Sequence, residues 1–225
     1  MKKLLFFVGA VVISSSVFAQ RPVDSNPFSL EGGLSLNTTS NTFNAPMLKL
    51  RYFATENIAA RVGLQYNSSK EVNNFYGIGA DGNESADSLG TQTLKSSLTW
   101  ISLGGSYHFS QLEKLSPYVA LDVMIGMGSS NEEWADFDGT GYSKGSEATV
   151  STKESGLGVG VSAGFDYYFA ENVFMGAELG FTYASYKDKG GEFSSGSTTV
   201  TLHPTGNENS FGNSATAAIR LGWRF

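Results

Sequence analysis

Few residues of this chain are equipped for chemistry. His108 and His203 are its two histidines, the side chains most ready to move a proton near neutral pH. Hydrolytic or acyl-transfer chemistry would need one of them within reach of a carboxylate or a hydroxyl. His203 precedes Pro204 with Glu208 and Ser210 nearby, a spacing that matches no nucleophile motif. His108 lies beside a short turn, where packing is the expected role. The absence of Cys excludes disulfides and thiolate metal sites. Asp136-x-Asp138-Gly139 opens like a calcium loop but lacks the following ligands and the Glu at position twelve. No nucleotide, metal or redox motif is present, so no cofactor and no metal site are expected. What remains is charge. Glu31, Asp122, Asp166 and Glu178, with Lys49, Arg51, Arg61, Arg220 and Arg224, all fall on the small, polar side of alternating segments. Such charges are tolerated away from water only when paired.

The elements that position them have a period of two, the signature of strands. Phe28, Leu30, Gly32, Leu34 and Leu36 alternate with Ser29, Glu31, Gly33, Ser35 and Asn37. The same alternation runs over residues 48–53, 58–66, 101–109, 118–127, 156–169, 173–183 and 217–225. It is clearest where Leu157, Val159, Val161, Ala163, Phe165, Tyr167 and Phe169 oppose Gly156, Gly158, Gly160, Ser162, Gly164, Asp166 and Tyr168. Eight segments are joined alternately by short turns and by long polar connections over residues 68–93, 129–154 and 187–213, with a shorter one over 38–44. This predicts an all-β fold, an eight-stranded antiparallel up-and-down barrel with short turns at one end and loops at the other.

Alternation leaves the outward face open, because soluble barrels alternate too. The second set of residues is rich in Gly and small side chains and poor in the Lys and Glu of a solvated surface. Only 16% of residues are charged, against roughly 25% in soluble domains. The apolar set suits lipid, and five to seven such residues per strand cover about 25–30 Å after tilting. Aromatics gather at the turn ends (Phe28, Tyr52, Tyr107, Phe109, Tyr167, Phe169, Trp223, Phe225) and toward the loop ends (Tyr66, Trp100, Phe181, Tyr183). Paired girdles of this kind mark two membrane interfaces. The inward charges then form an expected lumenal ion-pair layer that closes the barrel. Inward Gly63, Gly164, Gly176, Gly180 and Gly222 would make room for long side chains.

Residues 1–19 read as a cleaved signal peptide: Lys2 and Lys3, an apolar run from Leu4 to Ile13, and Val17-Phe18-Ala19 before Gln20. Residues 20–225 form the barrel domain. Loss of the two lysines takes the net charge from -6 to -8, and all of that excess lies in the three long connections. An acidic chain argues against a nucleic-acid partner.

The whole mature chain resembles the small eight-stranded OmpA/OmpX-type outer-membrane barrels, also grouped as outer-membrane β-barrel domain or porin-family proteins. Ile219, Leu221, Trp223 and Phe225 resemble the C-terminal signature of those proteins, an aromatic last residue with apolar residues at alternate positions behind it. The resemblance implies a monomer in the outer membrane of a Gram-negative cell. It also implies outer-membrane lipid around the barrel and recognition of that C-terminal signal by the barrel-assembly machinery. The expected role is envelope integrity or surface interaction, such as adhesion or defence, through an extracellular partner that the loops would meet. A narrow channel for small solutes is the alternative. A lipid A-modifying enzyme is the weaker third, and no catalytic residue is expected.

Overall fold

The computed structural model describes residues 26–37, 42–78, 84–109, 112, 114–139, 142–211 and 216–225. The expected signal peptide and its cleavage point lie outside these residues. The strands are β1 (Phe28–Asn37), β2 (Thr42–Phe53), β3 (Ile58–Ile78), β4 (Glu84–His108) and β5 (Leu115–Gly139). They continue with β6 (Tyr142–Ala170), β7 (Val173–Ser195), β8 (Thr198–Leu202), β9 (Asn207–Phe211) and β10 (Thr216–Arg224). Strands β1 to β7 pair antiparallel in chain order, and β10 pairs with both β1 and β7. Eight strands therefore close a ring with no free edge in its lower part, and β8 and β9 pair with the upper part of β7. The first and last strands are sealed end to end: Phe28 N donates to Phe225 O at 3.0 Å, and Phe225 N to Phe28 O at 2.8 Å.

The distribution of polarity is inverted relative to a soluble domain. Leu103, Leu157, Leu179 and Ile219 are more than 60% exposed, while Arg51, Arg220, Glu31 and Asp166 are buried. A continuous apolar belt of this extent far exceeds the patches that monomers show to water. Facing lipid, it needs no cover. The apolar residues of the alternating segments form this belt, including Ile219, Leu221, Trp223 and Phe225 at the C-terminal end.

The short turns lie at one end. In the turn after β2, Thr55 Oγ1 accepts from the backbone N–H groups of Asn57 and Ile58, and Asn57 Nδ2 donates to His108 O. Between β6 and β7, Asn172 adopts φ 62°, a conformation that Asn tolerates better than most residues.

At the opposite end the structure departs from the sequence expectation. The long connections are strands for most of their length: β3 and β4 pair out to Ile78 and Glu84, β5 and β6 out to Gly139 and Tyr142, and β6 and β7 out to Ala148 and Ser195. The apolar alternation stops where lipid stops, but backbone pairing does not require it. Rows of Ser, Thr and Asn continue the ladder in water. A spanning strand needs about 9–11 residues; β3 to β7 have 21 to 29, whereas β1, β2 and β10 have 10, 12 and 9. One side of the barrel thus rises into a tall sheet.

Trp100 is a second departure. Expected in the outer girdle, it points inward, opposite Gly126, and its ring lies against Gly126 and Gly156. Its neighbour Ile101 is on the lipid face, so strand parity sends Trp100 into the lumen.

Candidate functional site in the barrel lumen

Seven of the eight barrel strands contribute charge to the interior: Glu31 from β1, Lys49 and Arg51 from β2, Arg61 from β3, Asp122 from β5, Asp166 from β6, Glu178 from β7 and Arg220 from β10. Backbone register supplies the space. Glycine stands directly opposite nearly every one of them: Gly222 opposite Glu31, Gly63 opposite Lys49, and Gly104 opposite both Arg61 and Asp122. Gly176 faces both Asp166 and Arg220, and Gly164 faces Glu178. A Cβ at Gly164 would stand 2.8 Å from Tyr118 Oη, and one at Gly176 2.7 Å from Arg220 Nη2. The fourth strand gives no charge; its Gly104 leaves room for the Asp122 carboxylate.

The charges form two tiers. In the lower, Arg51 Nη1 is 2.7 Å from Asp166 Oδ2, and Arg220 Nη2 is 3.0 Å from Asp166 Oδ1. Arg220 Nη1 is 2.6 Å from Glu31 Oε2, and Arg51 Nη2 is 3.3 Å from the same oxygen. Two cations and two anions alternate around a closed ring, every side chain at most 1% exposed. Arg51 also donates to Ser29 Oγ at 3.2 Å.

In the upper tier, Arg61 grips Asp122 through two contacts and reaches Glu178 Oε2 at 3.0 Å. Lys49 Nζ is 3.1 Å from Glu178 Oε1, and Tyr118 Oη donates to Glu178 Oε2 at 2.5 Å. Asp122 and Glu178 are 13% and 12% exposed. They border a cavity of about 130 Å³, room for a few waters. Trp100 lines the cavity at its upper end, set edge-on to Tyr186 at 5.7 Å between ring centroids. The tiers meet at Lys49, 4.0 Å from Glu31 Oε1.

Beneath the lower ring lies an aromatic floor. The Arg51 guanidinium lies 4.9 Å from the Phe174 ring centroid and 5.4 Å from that of Phe53, and Arg220 lies 5.2 Å from Tyr118. Arg224 is placed here and not among the carboxylates. It lies 4.0 Å above Phe53, and its Nε donates to Asn26 O at 2.7 Å. His108 is buried between the Phe53 and Tyr118 rings, with Nδ1 2.7 Å from Ser116 Oγ and Nε2 3.3 Å from Ser106 Oγ.

Electrostatically, the eight charges of the two tiers balance. Arginine suits the lower ring because its planar fork can address two carboxylates at once. Coulomb attraction is strong where water is excluded, but separating any one partner leaves an uncompensated charge. The arrangement can therefore hold strands together and obstruct the lumen. Among the described residues no group of His, Asp and Glu is placed to hold a metal ion. His203 is exposed; the side chains of Glu208 and Ser210, and the Asp136-x-Asp138 segment beyond Asp136, lie outside the described side chains.

The aromatic floor and the Trp100 roof were not singled out as parts of a site from sequence. The available signal was parity: Phe53, Tyr118 and Tyr168 share the inward face with the charges, and Trp100 falls opposite glycine.

The model of the family described as "Outer membrane protein beta-barrel domain" matches residues 7–225. Solved structures with a similar fold include a major outer membrane protein from Thermus thermophilus, at 17% identity and TM-score 0.47, covering 88% of this chain and 98% of that one. The N-terminal barrel domain of Pseudomonas aeruginosa OprF follows at 16% identity and TM-score 0.38, covering 89% and 98%. The outer membrane protease OmpT from Escherichia coli has 8% identity and TM-score 0.45, covering 94% and 100%. No curated protein matches.

Proposed function

Since the chain belongs to the outer membrane protein β-barrel domain family and is an integral protein of the bacterial outer membrane, we propose that it is a closed anchor that presents a rigid sheet at the cell surface. Its general role lies in the envelope or at the surface, and the finer reading is non-catalytic surface contact. The tall wall of β3 to β7 carries this reading. These strands run 21 to 29 residues, about twice what the membrane requires. The pairing of β3 with β2 ends at Gln65, while its pairing with β4 continues to Ile78.

The test removes the β3–β4 part of the wall and keeps the barrel. Residues 70–94 are replaced by a two-residue turn, and folding is checked by heat-modifiable gel migration. Attachment of expressing cells to matrix-coated surfaces and their survival in detergent are then compared with the full chain. Loss of either with an intact barrel supports the proposal; unchanged attachment and survival would refute it.

A narrow channel is the second reading, favoured by the partly exposed upper tier and its cavity. Swelling of proteoliposomes in small sugars and amino acids separates the two, because only a channel admits them.

A further inference from the structure

Net charge gives a misleading picture of the projecting wall, because charge there is sorted by face. Lys70, Lys95, Lys153 and Lys187 are all exposed, and strand parity places all four on the convex, outer face. The register fixes this: Lys70 is opposite Lys95, Lys95 opposite Asn131, and Lys187 opposite Ser155, the next outward residue after Leu157. Glu132 and Glu154 have the other parity: Glu132 accepts from Gln92 at 2.6 Å, and Glu154 lies over Gly128.

Height above the lipid belt is as regular as the sidedness. The unbroken alternation of exposed apolar residues on the outer face ends at Tyr66, Ile101, Met127, Leu157 and Tyr183, with Val72 on β3 standing exposed above it. Above them come hydroxyls and small polar groups: Ser68 on β3, Thr99 and Ser97 on β4, Ser129 and Asn131 on β5, Ser155 on β6 and Ser185 on β7. The next outward residue is Lys70, Lys95, Lys153 or Lys187 on four of those five strands. Each outward step is two residues, about 6.7 Å along a strand and roughly 5 Å along the axis of a tilted barrel. The ammonium groups therefore begin about 10–15 Å beyond the end of that unbroken alternation, and lysine stems bend back toward the membrane. The carboxylates on this face begin level with Lys95, one step farther out than Lys70, Lys153 and Lys187. Glu133 is three steps beyond Met127 and pairs with Lys95 at 2.9 Å. None of the ion pairs among the described residues involves Lys70, Lys153 or Lys187.

We propose that these lysines form a collar that binds the phosphate groups of lipid headgroups in the outer leaflet. The collar is continuous with the lipid-facing belt, its hydroxyl step matches a polar headgroup, and its sign complements phosphate. The acidity of the concave face does not cancel it, because exposed charges more than about 8–10 Å apart are screened. The inference rests on the membrane location and is independent of any surface partner.

The full-length refolded barrel in zwitterionic micelles is titrated with lipopolysaccharide and with its dephosphorylated form. The phosphorylated form is expected to bind at least about tenfold more tightly, as near-surface lysines should provide. A quadruple variant (K70Q, K95Q, K153Q, K187Q) should lose that preference while keeping heat-modifiable migration. A double variant of the concave face (E132Q, E154Q) should retain it. Equal binding of both lipids, or a quadruple variant that binds like the wild type, would overturn the collar. Lysine-dependent capture of soluble heparin with no dependence on lipid phosphate would assign the lysines to another polyanion and overturn it as well.

Discussion

The two tiers of the lumen use the same chemistry under different solvation. The lower ring of Arg51, Asp166, Arg220 and Glu31 is at most 1% exposed and rests on an aromatic floor. The upper tier of Lys49, Glu178, Arg61 and Asp122 borders a cavity, and its carboxylates keep about an eighth of their surface. In the ring no water can replace a lost partner, whereas in the upper tier one can. The difference teaches that pairing alone does not set the value of an ion pair; access of water to the group left behind does.

The largest effect is expected from Arg220→Ala. It strips partners from both Glu31 and Asp166 in a dry site and should cost about 3–5 kcal/mol, read by urea unfolding of the barrel in lipid vesicles. Glu178→Gln in the upper tier keeps the shape but loses charge toward Lys49 and Arg61. A cost of about 1.5–3 kcal/mol is expected, and equal losses for the two variants would erase the distinction between the tiers. Gly222→Ala probes the packing under the ring, since its new Cβ would enter the Phe174 ring that supports Arg51. Overpacking of this kind costs about 1–3 kcal/mol, and relief by Phe174→Leu in the double variant would identify the clash.

Much of this site was legible in the sequence, and for a physical reason. A strand sends every second side chain to one face, so Glu31, Lys49, Arg51, Arg61, Asp122, Asp166, Glu178 and Arg220 could be placed inside by parity. Their division into a dry ring and a partly wet tier could not, because it depends on strand tilt and stagger. Trp100 shows the same rule misapplied: its aromatic type suggested the girdle, but its parity with respect to Ile101 directed it inward. The tall wall was invisible to a search for apolar alternation, since Ser, Thr and Asn sustain a ladder that lies in water on both faces.

The smallest effect lies outside the membrane, at Asp188. It accepts from Thr205 Oγ1 at 2.6 Å, Thr205 N at 2.8 Å and Gly190 N at 2.7 Å, and these bonds hold its carboxyl below the usual value. A depressed folded value means that the local structure is favoured above the ordinary carboxylate range, near 3.8, and loses that support as pH falls through the lowered value. Protection of the Gly190 and Thr205 amides, measured against their intrinsic exchange rates, should therefore fall on acidification below the ordinary carboxylate range, and Asp188→Asn should show the lower protection already at neutral pH. The lumenal tiers should show no such change in Asp188→Asn.

The central claim is that the two tiers and the aromatic floor close the lumen. Single-channel recording of the refolded full-length protein in planar bilayers tests it most directly. The expected trace stays at background over the full voltage range. Discrete, reproducible conductance steps from the wild-type barrel would contradict the claim.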